Sequence, residues 1–125
     1  MFKQYFTCTR PDVAIPFWEE SPEGKPLSDA IDALRLSRSD LVVNYASSEW
    51  HEEDLEFTSE WTFASVEAFN EFRRLVTAID PNIRGKRGRY YTANNHALLI
   101  QYEVNDTGKN LLARIDTNGL YDGSV

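Results

Sequence analysis

The sequence predicts an α+β domain: an antiparallel sheet with two helices on one face and extra C-terminal strands. Three observations carry that expectation. Residues Leu55 to Phe63 alternate strictly, with Leu55, Phe57, Ser59, Trp61 and Phe63 on one side and Glu56, Thr58, Glu60 and Thr62 on the other. Period-two alternation of this kind marks a half-buried strand. Ser65 then offers an N-cap with Glu67 in the first turn, and Val66, Phe69, Phe72, Leu75, Val76 and Ile79 form one helical stripe up to Asp80-Pro81. Third, the elements run strand, helix, strand, strand, helix, strand, the split β-α-β order of ferredoxin-like domains.

The remaining elements follow along the chain. Phe2 to Thr9 mixes aromatic residues and threonine as a strand does. Pro11, Pro16, Pro22 and Pro26 interrupt the next stretch, which holds Val13, Ile15, Phe17 and Trp18. So many prolines exclude a regular helix or central strand, and the large apolar residues need cover. An ordered, packed arm is expected, with a mobile aromatic loop as the alternative. Leu27, Ala30, Ile31 and Leu34 predict a helix over roughly 27–37, with Asp29 and Asp32 placed early. Leu41 to Tyr45 reads as a buried strand, and the acidic stretch from Trp50 to Asp54 as a hairpin loop. Arg84 to Arg89 reads as a basic glycine loop. Arg89 to Thr92 and Leu98 to Val104 read as two strands joined near Asn94-Asn95, residues that tolerate left-handed geometry. Asn105 to Gly108 suggests a further turn, Leu111 to Ile115 an edge strand, and Leu120 and Tyr121 anchors in the tail.

Composition bounds the class. The chain has 125 residues, 42% of them hydrophobic, which suits one domain, residues 1–125, with a core of its own. The single cysteine, Cys8, excludes an intramolecular disulfide and a four-cysteine zinc site. In its apolar run it reads as a small buried residue rather than a nucleophile. The N-terminus lacks the layout of a signal peptide and no apolar run approaches a membrane span, so a cytoplasmic location and no membrane partner are expected. A formal charge of −7 opposes nonspecific binding to nucleic acid. The charge is segregated: residues 49–60 hold six acids and no base, whereas residues 73–89 hold six bases against Asp80.

The run from Glu60 to Phe69, a strand followed by Ser-x-Glu-Ala and a helix, resembles dimeric α+β barrel proteins, the group that includes antibiotic-biosynthesis monooxygenase-like domains. The likeness in element order extends over roughly residues 1–104; the proline-rich arm and the C-terminal extension depart from it. The resemblance leaves the chemistry open, because that superfold holds oxygenases, isomerases and noncatalytic binders alike. A homodimer formed through the sheet is expected with the leading reading, an interaction protein.

Three groups of residues are candidates for function. The aromatics Phe17, Trp18, Trp50, Tyr90, Tyr91 and Tyr121 fall in or beside loops, where they would anchor a protein interface. Arg84, Lys86, Arg87 and Arg89 around two glycines would cradle a phosphate or RNA backbone, although the spacing is no P-loop. Trp61, Tyr91 and His96 would serve a cofactor-independent enzyme of the barrel type as wall and proton handlers on a hydrophobic substrate. The acidic run with His51 lacks metal-ligand spacing and reads as a solvated loop. No nucleophile-base pattern is legible. The leading expectation is therefore a noncatalytic accessory or interaction protein that binds another protein, without cofactor or metal. The barrel-type enzyme comes second, and phosphate or RNA binding third.

Overall fold

A computed structural model describes residues 1–49, 51–104 and 109–115. The strands are β1 (Phe2–Thr9), β2 (Val42–Ser47), β3 (Glu56–Phe63), β4 (Ala97–Val104) and β5 (Lys109–Ile115). They form one sheet in the order β2-β3-β1-β4-β5, every pairing antiparallel. The first four strands reproduce the ferredoxin-like order, and β5 adds the expected strand at the β4 edge. The helices are α1 (Gly24–Ser37), α2 (Val66–Ile79) and α3 (Ile83–Asn94). Residues of all three share one core with the same face of the sheet.

The register explains that face. Phe2, Gln4, Phe6 and Cys8 of β1 lie opposite Phe63, Trp61, Ser59 and Phe57 of β3. On the other side they lie opposite Val104, Tyr102, Ile100 and Leu98 of β4. Because alternate residues face opposite ways, all of these positions share the helix-bearing side. The opposite side carries Lys3, Tyr5, Thr7, Thr58, Glu60 and Gln101, with an ion pair of 3.3 Å between Lys3 and Glu60. The core is aromatic at its α2 end: Phe2 lies 4.7 Å from Phe69 and Phe63 lies 5.1 Å from Phe69, ring centre to ring centre.

Helix α2 starts as expected, with Ser65 Oγ accepting from the Ala68 amide at 3.0 Å and Asp80 extended at its end. Its stripe is buried at Phe69 and Phe72, but Val66 and Ile79 at the two ends are exposed. Leu55 is exposed as well, because β3 begins one residue later. Helix α1 begins at Gly24, three residues before the expected start. Pro26 falls in its first turn, where a missing N–H costs nothing.

The stretch from Ile83 to Asn94 corrects the sequence-based expectation. It is helix α3, neither a glycine loop nor a strand at Arg89–Thr92. Arginine, lysine and tyrosine side chains tolerate a helix, and two glycines lower its stability without breaking it when tertiary packing holds Ile83, Gly88 and Tyr91 in the core. Asn95 does take left-handed geometry, with φ 56°, but as the residue that ends this helix. The sheet therefore carries three helices on one face instead of two.

The proline arm is ordered and packed. Phe17 and Trp18 are buried, the latter opening a 3₁₀ turn, Trp18–Glu20, while Val13 and Ile15 are exposed. Ser21 Oγ accepts from the Gly24 amide and donates to Trp18 O. Here the chain is so tight that a Cβ at Gly24 would stand 1.9 Å from Trp18 O. The expected turn at residues 105–108 and the anchors Leu120 and Tyr121 lie outside the described residues. Among the described residues no helix is long and apolar enough to cross a membrane.

Candidate functional site

At the centre of the helix-bearing face the alternating pattern of β3 contains one small polar residue, Ser59, between Phe57 and Trp61. It lies directly opposite Phe6 of the central strand. A short side chain there leaves room beneath the helices, and the consequence is visible in the neighbours. Phe6, Phe57 and Trp61 are only half-buried, although they stand in the middle strands on the covered side of the sheet. The space above them is a cavity of about 280 Å³. Its floor is the sheet, and α1, α2 and α3 supply Ile31, Phe72, Val76 and Ile83. The ring system is organised around Trp61, with Tyr45 edge-on at 4.8 Å and Phe72 at 5.7 Å.

The polar groups of the lining come from two directions. Glu19, Glu20, Ser28 and Asp32 come from the 3₁₀ turn and α1; Arg73, Arg84 and Arg87 come from α2 and α3. Glu19 is the unusual member. Part of the residue reaches solvent, yet its Oε2 is enclosed and has no hydrogen-bond partner. Burial raises the pKa of its carboxyl, against the pull of its own amide and of Arg87. Trp18 Nε1, on the adjacent residue, is likewise buried without a partner. Buried polar atoms in this condition are uncommon and call for an explanation.

The arginines are engaged by the protein. Arg84 donates to Thr77 Oγ1 at 2.6 Å, and Arg73 and Arg87 lie over the rings of Phe69 and Phe6, each at 5.6 Å. Lys86 pairs with Asp80 at 2.6 Å, and Arg89 is exposed. Arg84, Lys86, Arg87 and Arg89 thus occupy successive directions around α3 rather than one concave loop. The helix also takes up the backbone amides that an anion cradle needs; the Lys86 amide, for example, donates to Asn82 O. Two of the four, Arg84 and Arg87, reach the cavity.

Trp61, Tyr91 and His96 do not come together. Trp61 stands in the cavity wall, whereas Tyr91 and His96 lie outside the lining, with ring centres 6.4 Å apart. His96 is completely buried against Phe17, Tyr90 and Tyr91, and neither ring nitrogen has a partner. Burial first, and then nearby Arg10, hold its pKa below the ordinary 6.5, with Asp12 opposing. Burial likewise pushes the Cys8 thiol up to about 12, so it carries no thiolate at neutral pH.

Beside His96 lies a contrasting group that the sequence did not single out. Arg10 is buried at the end of β1. Its Nε donates to Asp54 O, Nη1 to Ile15 O and Nη2 to Glu52 O, each at 2.9 Å. The guanidinium also lies 4.3 Å from the centre of the Phe17 ring. One side chain thus ties the proline arm to the acidic loop through main-chain carbonyls. Tyr90 completes the fastening by donating to Pro16 O.

Of the aromatics expected at an interface, Phe17, Trp18 and Tyr91 are core residues and Tyr90 is half-buried against the arm. They therefore form no exposed patch. Trp50 and Tyr121 lie outside the described residues. Among the described residues no three His, Cys, Asp or Glu side chains group as metal ligands would. Comparison with protein-family models, with curated proteins and with solved structures yields no match.

Proposed function

We propose that this chain binds a small, largely aromatic molecule in the cavity between the sheet and the helices. The observation that carries the proposal is the opening at Ser59, where Phe6, Phe57 and Trp61 keep exposed ring surface beneath the helix layer. Pockets of this kind combine apolar walls with few polar groups, and ligand sites commonly begin near 300 Å³. At about 280 Å³ the space is nearly twice the ~150 Å³ of an engineered apolar cavity that takes up benzene. A molecule of one or two rings fits that volume. The resemblance to dimeric α+β barrels points the same way, since a cofactor-independent enzyme of that type would hold its hydrophobic substrate here. Glu19, whose pKa burial raises, would then be the group placed to exchange a proton.

The interaction-protein reading retains one feature, the sheet face opposite the helices, which no described helix covers and which a second copy or another protein would use. Of its described aromatic anchors, Phe17, Trp18 and Tyr91 are buried and Tyr90 is half-buried, so the cavity is the stronger basis.

Trp18 and Trp61 both line the cavity, which makes tryptophan fluorescence a direct test. Titration with the neutral probe 2-phenylethanol should give a saturable change. In Ser59→Phe, whose ring would occupy the space, saturation should be lost while the far-UV spectrum is retained. A response that never saturates in the native chain, or one untouched in Ser59→Phe, would overturn the proposal.

A further inference from the structure

We infer that the cavity selects molecules carrying a protonated amine on their aromatic body, with the Glu19 carboxylate as the receiving group. This rests on the cavity being a ligand site. The inference comes from an acidic oxygen of the lining that the protein leaves without a hydrogen bond. Each arginine of the lining has a protein contact: Arg84 with Thr77, Arg73 with the Phe69 ring, and Arg87 with the Phe6 ring. Glu19 Oε2 is enclosed and has no hydrogen-bond partner, although the Arg87 charge acts on its carboxyl. A carboxylate only accepts hydrogen bonds, so what it lacks is a donor, and a charged donor makes the stronger bond.

The surroundings suit a cation in two further ways. Glu20 and Asp32 enter from the same side of the cavity as Glu19, so an incoming anion would meet three acids there. The Trp61 ring in the wall offers the negative π surface that organic ammonium groups seek, while the Tyr45 ring beside it already holds the Arg35 guanidinium 4.2 Å from its centre. Binding also couples to protonation. Burial raises the Glu19 pKa and the arriving ammonium favours the carboxylate, so any proton that the carboxyl holds leaves to solvent. Affinity for an amine should therefore rise as pH rises through the elevated titration range of Glu19.

Calorimetric titration of three probes of one shape, 2-phenylethylamine, 2-phenylethanol and 3-phenylpropionate, tests this in the intact chain. The amine should bind tightest, increasingly so toward higher pH, and Glu19→Gln should weaken it roughly ten- to hundredfold while leaving the alcohol nearly unchanged. The variant is isosteric, and the three probes on the native chain test the preference without it. If 3-phenylpropionate binds as well as the amine, or Glu19→Gln leaves amine affinity intact, the inference is overturned and the cavity remains a site of other selectivity. If 2-phenylethanol and the amine both fail to bind, the cavity proposal itself falls.

Discussion

Two buried polar residues at opposite ends of the proline arm are treated in opposite ways. Arg10, where the arm leaves β1, has three donors spent on three carbonyls and a ring beneath its guanidinium. Glu19, where the arm enters α1, has an enclosed oxygen with no partner and a cavity beside it. A saturated group gives shape and has nothing left to offer a ligand. An unsaturated one costs stability in the folded chain and is retained where a bound molecule completes it. The arm thus holds a clasp at one end and a candidate receptor at the other.

The largest effect that would break this contrast is at the clasp. Arg10→Ala strands three carbonyls in a partly buried corner and should cost about 3–4 kcal/mol, read as a lowered midpoint in chemical denaturation. Arg10→Lys should recover only part of the loss, because an ammonium cannot reproduce the planar fork. A loss below about 1 kcal/mol in Arg10→Ala would show that the clasp does not hold the arm.

A smaller, pH-dependent effect is expected at His96, which faces Arg10 and Asp12 and stands among Phe17, Tyr90 and Tyr91. Its folded pKa lies below the unfolded value of about 6.5, so at mildly acid pH the unfolded chain binds the extra proton. Its contribution is fully present above that value and is lost as pH falls toward the depressed one. Glu19 runs the other way: its raised pKa stabilises below the ordinary carboxyl range, and that contribution is lost as pH rises through the elevated value. Denaturation midpoints across pH should fall on the acid side in the native chain and fall less in His96→Leu.

The smallest effect sharpens the contrast most. Glu19→Leu removes a carboxyl with one enclosed oxygen that has no hydrogen-bond partner, so stability at neutral pH should be unchanged or rise by about 1 kcal/mol, measured in the same denaturation series. A marked loss would mean that Glu19 is structural, as Arg10 is.

How much of this was legible varied with the range of the forces involved. Local rules governed β3 and α2: strict alternation, a serine cap and a proline stop suffice, and Cys8 is buried as its apolar run implied. Helix α3 was obscured because its core contact rests on Ile83, Gly88 and Tyr91, too few apolar residues for a periodic stripe. Asn95 carried a correct conformational signal whose context, a helix end rather than a hairpin, depends on the preceding ten residues. The clasp was invisible because Arg10 reaches carbonyls more than forty positions away, and carbonyls have no sequence signature. The cavity did leave one trace, Ser59 in an otherwise large apolar face. Glu19 left none, since a glutamate in a proline-rich turn ordinarily points to water.

The most direct test of the account is to locate a bound probe by NMR. With 2-phenylethanol at saturation, intermolecular NOEs should connect its ring to Phe6, Phe57, Trp61 and Phe72. NOEs confined to Tyr5, Thr7 and Thr58 would put the probe on the uncovered side of the sheet and contradict the account, as would their complete absence.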